Sequence, residues 1–232
     1  MMKKIGKKLV EARKLVEKDR LYTIEEAMDL VKKTSYTKFA GSVDLAIKLN
    51  LDTRKADQQL RGSILLPHGT GKNVRVLVAT DSQEIATKAK EAGADLVYTP
   101  GELEENLKID NFNFDVIIVE PKLMPLLGKY GKKLGPKGLM PNPKTGTVTP
   151  TPEKAVVEIK KGKANYRADK FGIVHSLIGK TYMEVNQLVE NAQTLIQLLK
   201  KLKPSTVKGA YIKNLTVSAS MGPSIKIKFD NF

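Results

Sequence analysis

Two styles of strand share this chain, and one sheet cannot hold both. Residues 42–51, SVDLAIKLNL, alternate without exception. Val43, Leu45, Ile47, Leu49 and Leu51 fall on one side; Ser42, Asp44, Ala46, Lys48 and Asn50 fall on the other. Successive strand side chains point to opposite faces, so this pattern predicts one buried and one wetted face, the habit of antiparallel sheets. VRVLVA (74–79) and FDVIIV (114–119) are apolar runs instead. Such runs suit strands covered on both faces by helices. Helical patterns over 83–92 (closed by Gly93), 103–107 and 121–130 alternate with them and with a short strand at 96–98. Strands alternating with helices predict a parallel, Rossmann-like three-layer α/β domain.

Both ends of the chain keep the half-buried style. Ile5, Leu9, Ala12, Leu15 and Val16 predict an amphipathic helix over 3–18. Thr23 with Glu26 is a capping box that opens a helix over 24–33. A strand over 60–66 follows. Beyond the middle, strands at 164–168 and 172–178 flank a turn at Asp169-Lys170-Phe171-Gly172. Thr181 and Glu184 form a second capping box before the long stripe Val185, Leu188, Val189, Ala192, Leu195, Ile196, Leu199, Leu202, which stops at Pro204. Strands at 210–219 and 225–229 surround Ser220-Met221-Gly222-Pro223. The economical reading has two domains. Residues 1–67 and 160–232 form one discontinuous α+β domain, an antiparallel sheet with helices of split βαβ type, and 68–159 is inserted into it. Two connections, at 67–72 and 159–162, place hinge glycines at Gly69, Gly71 and Gly162.

The charge follows the same division. The chain carries 40 basic and 25 acidic residues, net +15. Residues 68–159 hold 12 of each sign. Residues 1–67 carry +6 and residues 160–232 carry +9, so the whole excess lies in the discontinuous domain. Excess of that size on one domain points to a polyanionic partner. Lys38-Phe39, Arg54-Lys55, Arg61, Arg167, Lys170 and the 218–224 turn are candidates for it. No helix-turn-helix or zinc module is evident, which favours folded RNA, read by shape and 2′-hydroxyls, over DNA. Phe39 and Met221 are suited to lie against ribose or base.

Other classes find little support. GTGK at 69–72 lacks a phosphate loop's earlier glycine, and Asn73 stands where Ser or Thr would hold magnesium. No Gly-x-Gly-x-x-Gly follows the first parallel strand, so no dinucleotide cofactor is expected. His68 and His175 lack partners at motif spacing, and no catalytic residue or metal site is assigned. The absence of cysteine removes disulfides and thiolate sites. No run of about 18 apolar residues is present, and no membrane partner is expected. The basic N-terminus lacks a secretory apolar core, and Glu11 and Glu17 argue against a mitochondrial presequence. The alternative class is a small-molecule-binding α/β protein or enzyme built on the inserted domain.

LGPKGLMPNPKTGTV, residues 134–148, is too dense in Pro and Gly for helix or strand. It predicts an ordered loop pinned by Leu139 and Met140. The segment resembles the signature of the L-one family of large-subunit ribosomal proteins, the rRNA binders of the mobile stalk beside the tRNA exit site. DQQLRGSILLPHGTGK (57–72), NYRADKFGIVH (165–175) and SASMGPSIKI (218–227) resemble family segments in family order. The resemblance implies a cytoplasmic, ribosome-bound, non-enzymatic protein without cofactor, among other components of the large subunit. It implies rRNA contacts at Lys38, Phe39, Ser42, Arg54, Arg167, Asp169, Lys170, Ser220, Met221, Gly222 and Pro223. It further implies assistance in releasing deacylated tRNA and, in bacteria, repression of the protein's own operon mRNA. Some members carry Thr at positions 42 and 220 and Ser at position 214, where this chain has Ser42, Ser220 and Asn214.

Overall fold

The computed structural model describes residues 6–110 and 112–229. The first helix, α1, covers Lys7–Lys14, and Ile5 of the expected stripe lies outside the described residues. The helix stops four residues short of the expected end. The hydroxyl of Tyr22 accepts from the Glu17 backbone N–H at 3.0 Å, and that bond holds the chain in a turn. Helix α2, Ile24–Thr34, starts where the capping box requires. Thr23 Oγ1 accepts from Glu26 N at 3.3 Å, and Glu26 Oε2 accepts from Thr23 N at 3.1 Å.

Strand β1, Ser42–Leu49, buries Val43, Leu45, Ile47 and Leu49, as its alternation requires. Each such side chain contributes about 1.5–3 kcal/mol relative to exposure. A short strand β2, Arg61–Leu65, follows. The chain then enters β3, Val76–Ala79, whose four residues are all buried. Helix α3 (Gln83–Glu91), β4 (Leu96–Tyr98), α4 (Pro100–Lys108) and β5 (Val116–Val119) come next. The sheet order is β4-β3-β5, parallel throughout. Leu77, Ala79, Ile117 and Val119 pack with Leu103 and Leu107 of α4 on one face. Val76, Val78 and Ile118 pack with Ala89 of α3 on the other.

The expected helix over 121–130 is broken. Pro121–Leu123 is a 3-10 turn, and α5 is confined to Met124–Lys129, because Pro125 fits only a first turn. Four-residue α6, Gly131–Leu134, leads into the proline-rich loop. Leu134, Leu139, Met140 and Val148 pack against the core face that holds α4, so the loop is pinned through its apolar residues. Asn142 organises its tip. Its Oδ1 accepts from Lys144 N at 2.8 Å, and its backbone N–H donates to Thr147 Oγ1 at 2.8 Å. Lys137 of the loop and Lys133 of α6 serve this unit internally: Lys137 Nζ lies 3.5 Å from the Phe112 ring centre, and Lys133 pairs with Asp110 at 2.9 Å.

Helix α7, Pro152–Lys160, was not anticipated. Its Ala155, Val156 and Ile159 join the core face that holds α3, so apolar anchors run up to the start of the expected connection at 159–162. Then come β6 (Lys163–Arg167), β7 (Ile173–Lys180), α8 (Val185–Lys201), β8 (Ile212–Ala219) and β9 (Ser224–Lys226). The cap of α8 is not Thr181. Glu184 takes that place and closes a box with Gln187, because Thr181 N–H already donates to Gly41 O at 3.0 Å beside β1. Strands β6 and β7 are not partners along their length. β6 pairs with β2, while β7 joins an antiparallel sheet of order β7-β1-β8-β9. Helices α2 and α8 cover the inner face of this sheet around Leu45, Ile47, Leu195 and Val217.

Contacts divide the chain into two units, 1–72 with 164–232 and 73–163. Asn191 of α8 is fully buried in the first. Its Oδ1 accepts from His68 N at 3.1 Å, and its Nδ2 donates to Gly69 O at 2.9 Å and Ile178 O at 2.8 Å. Asn191→Ala is therefore expected to cost about 2–4 kcal/mol, since buried backbone groups lose their partners. Urea unfolding followed by circular dichroism checks this; a loss under about 0.5 kcal/mol would show that water replaces the amide.

Candidate nucleic-acid interface

The four-stranded sheet leaves its outer face uncovered by α2 and α8. Register places Thr216 beside Ala46 and Lys226, and Ser218 beside Asp44 and Ser224. Lys48 faces Asn214 across the same pair. Apart from the carboxylate of Asp44, this face is therefore one of hydroxyls, amides and cations, the mixture suited to sugar and phosphate. A cleft of about 880 Å³ lies over it, walled by Arg13, Glu17, Lys18 and Asp19 on one side and by Asn214, Thr216, Pro223 and Lys226 on the other. Arg13, Lys18, Thr216 and Lys226 were not singled out from sequence; the outward positions of β8 and β9 were the available signal.

The expected contact residues fall into two groups, one at each end of β1. An eight-residue strand separates them by about 25 Å. At its start, Ser42 N donates to Ser220 Oγ at 3.0 Å, and Lys180 Nζ donates to Ser42 Oγ at 2.9 Å. Tyr36 OH donates to Met221 O at 2.8 Å, which ties the segment holding Lys38 and Phe39 to the β8–β9 turn. Phe39 is 59% exposed and Met221 70%. Met221, not glycine, takes the left-handed backbone of this turn, with φ 64°. Gly222 closes it, donating to Ala219 O at 2.9 Å, and a Cβ there would stand 3.3 Å from that same oxygen. Pro223 follows at the cleft.

Arg54, Asp169 and Lys170 gather beyond the far end. Asp52 Oδ1 accepts from Arg54 N at 3.2 Å, and Thr53 Oγ1 donates to Lys170 O at 3.0 Å, so the two loops are joined. Asp169 Oδ1 accepts from Ile173 N and Phe171 N, each at 2.8 Å. The Ile173 N–H above all, helped by the Phe171 N–H and His175, holds its carboxyl below the usual range against the opposing effect of burial. Arg167 ends β6, exposed, two residues before Asp169.

The expected hinge glycines all take positive φ. The carbonyl of Gly69 is held by Asn191, and that of Gly71 by the Tyr182 hydroxyl at 3.1 Å. Gly162 follows α7, its N–H donating to Ile159 O. The histidines pair with single carboxylates, His68 with Glu190 at 2.5 Å and His175 with Asp169 at 3.7 Å. Among the described residues, no three His, Asp or Glu side chains gather as a metal site would require. None of the described helices is long and apolar enough to cross a membrane.

The first unit carries 26 basic against 13 acidic side chains and the second 14 against 12, so net charge divides as +13 and +2. The model of the ribosomal protein L1p/L10e family matches residues 31–223, which span both units. The chain belongs to this family. A relative named large ribosomal subunit protein uL1, from Mesomycoplasma hyopneumoniae (strain 7448), is 78% identical over 230 residues, covering 99% of this chain and 100% of its own length. Proteins of the same name from Mycoplasmopsis pulmonis and Mycoplasma mobile are 71% and 58% identical, over 99% and 100% of this chain and 100% of their own lengths. The L1p/L10e match begins inside α2, so α1 and its cleft wall precede it, while these relatives align along nearly the whole chain.

Proposed function

We propose that this protein is a cytoplasmic, non-enzymatic constituent of the large ribosomal subunit that binds large-subunit rRNA at the mobile stalk near the tRNA exit site. Its discontinuous unit is the RNA-binding domain, and the 73–163 unit is an inserted Rossmann-like domain. The observation that carries this reading is the meeting of charge and face. Net +13 sits on the unit whose open sheet face presents Thr216, Ser218 and Lys226 between the two groups of expected contacts. The β1-start group is Lys38, Phe39, Ser42 and the Ser220-to-Pro223 turn; the far group is Arg54, Arg167, Asp169 and Lys170. Membership of the family supports two further roles in this reading. One is assistance in release of deacylated tRNA; the other is repression of the protein's own operon by binding its mRNA.

Gel shift tests the reading with four probes: a structured fragment of stalk rRNA, the leader of the operon mRNA, deacylated tRNA and a nucleotide panel. Tight binding of the rRNA fragment is expected, with the mRNA leader competing for the same protein. Nucleotide binding without RNA affinity would overturn the proposal. Failure of the leader alone to compete would remove the repressor role only.

A further inference from the structure

Phe171 stands at the tip of the turn between β6 and β7, 61% exposed. Its ring lies outside the apolar core of its unit, yet its backbone is held from several sides. Its N–H donates to Asp169 Oδ1 at 2.8 Å, and its carbonyl accepts from Lys48 Nζ at 3.1 Å. The carbonyl before it accepts from Thr53. Gly172 after it has φ 74°, and a Cβ there would meet Leu49 O at 3.1 Å and Leu51 O at 3.2 Å, so the turn is seated against the end of β1. A rigid turn presents the ring with little conformational entropy left to lose on binding.

The surroundings are cationic. Lys170 Nζ lies 5.2 Å from the ring centre, and Arg54 and Lys55 are exposed on the loop that Thr53 ties to this turn. Two carboxylates lie nearby, and both accept from backbone N–H groups: Asp169 from Phe171 and Ile173, and Asp52 from Arg54. A flat apolar face ringed by phosphate-seeking side chains matches an unpaired nucleotide: base on the ring, backbone on the cations. A protein surface would gain little from so many cations around one ring.

We propose that Phe171 is a stacking platform for an unpaired base of the bound RNA, with Lys170 and Arg54 holding the flanking phosphates. This rests on the RNA-binding reading above and adds to it an apolar contact at the far end of β1. The chain contains no tryptophan. Phe171→Trp therefore places a single indole at the proposed contact. Titration with the stalk rRNA fragment is expected to quench its emission in step with binding, at an affinity near that of the unaltered protein. Phe171→Ala is expected to weaken binding about five- to a hundredfold, with Phe171→Tyr restoring most of it and the thermal melt unmoved. Wild-type-like affinity of the alanine variant together with unquenched indole would overturn the platform, assign the ring to solvent or a protein neighbour, and leave RNA binding standing. Failure of the unaltered protein to bind the fragment would overturn the underlying reading and the platform with it. If the alanine variant is itself destabilised, the indole signal decides.

Discussion

Met221→Asp is expected to weaken binding of the stalk rRNA fragment on the order of a hundredfold. The side chain is 70% exposed at the tip of the β8–β9 turn, and the Tyr36 hydroxyl fixes the carbonyl beneath it. A carboxylate about 6 Å from a phosphate costs about 0.7–3 kcal/mol, depending on local screening. Loss of the apolar contact adds about 1–2 kcal/mol. The left-handed backbone of Met221, φ 64°, supplies a second handle. A side chain there costs about 1–2 kcal/mol that glycine would not incur. A residue kept in that state with a large exposed side chain is a sign of function rather than of stability. Met221→Gly should thus melt no lower than the unaltered protein, yet bind RNA more weakly. Gel-shift titrations paired with thermal melts read both variants. Affinity of the folded aspartate variant within twofold of the unaltered protein would move the interface away from this turn.

Raising monovalent salt from about 50 to 200 mM is expected to weaken the complex by about three orders of magnitude, as for a protein making six or more phosphate contacts. Lys38, Arg54, Arg167 and Lys170 supply four cations at the ends of β1, and Arg13, Lys18, Lys48 and Lys226 supply four more along the face and cleft. A protein joining residues 1–72 to 164–232 through a short Gly/Ser linker should keep most of the affinity and the same salt slope, because that unit carries net +13. The 73–163 unit, at +2, should show little of either. Equal affinities for the two pieces, with both folded, would defeat the argument from charge.

Local features were legible wherever a short period decides the structure. The alternation of SVDLAIKLNL reappears as burial of Val43, Leu45, Ile47 and Leu49, and the run at 76–79 as four buried residues. Thr23 and Glu26 make the expected capping box. Thr181 and Glu184 match the same signature and fail, because a carbonyl at Gly41, far away in the chain, takes the Thr181 N–H. Helix α7 hid because Pro152 reads equally as a stop and as a first helical residue. The site divides in the same way. Charge and the resemblance point to the residues, but Ser42 and Arg54 are 12 apart in sequence and lie at opposite ends of an extended strand. The alternation over 42–51 already implies that separation, but only pairing reveals that Ser220 joins the first end and Lys170 the second. The left-handed state of Met221 carried no signal either, since the glycine beside it was the natural candidate.

The place of β1 in its sheet governs the order in which the molecule can come into being. Residues 42–49 lie between β7 and β8, and the nearer of these partners begins at Ile173. At synthesis rates of about 5–20 residues per second, β1 waits roughly 6–25 s for a neighbour. The parallel sheet of the 73–163 unit closes entirely within that interval, every strand and covering helix already made. The apolar side of β1 meanwhile has only α2 and β2 from its own unit to shelter it. An emerging chain must therefore carry an unpaired, hydrophobic strand past a neighbour that is ready to fold. The close alternation of Asp44 and Lys48 with the apolar residues keeps charge on that strand while it waits.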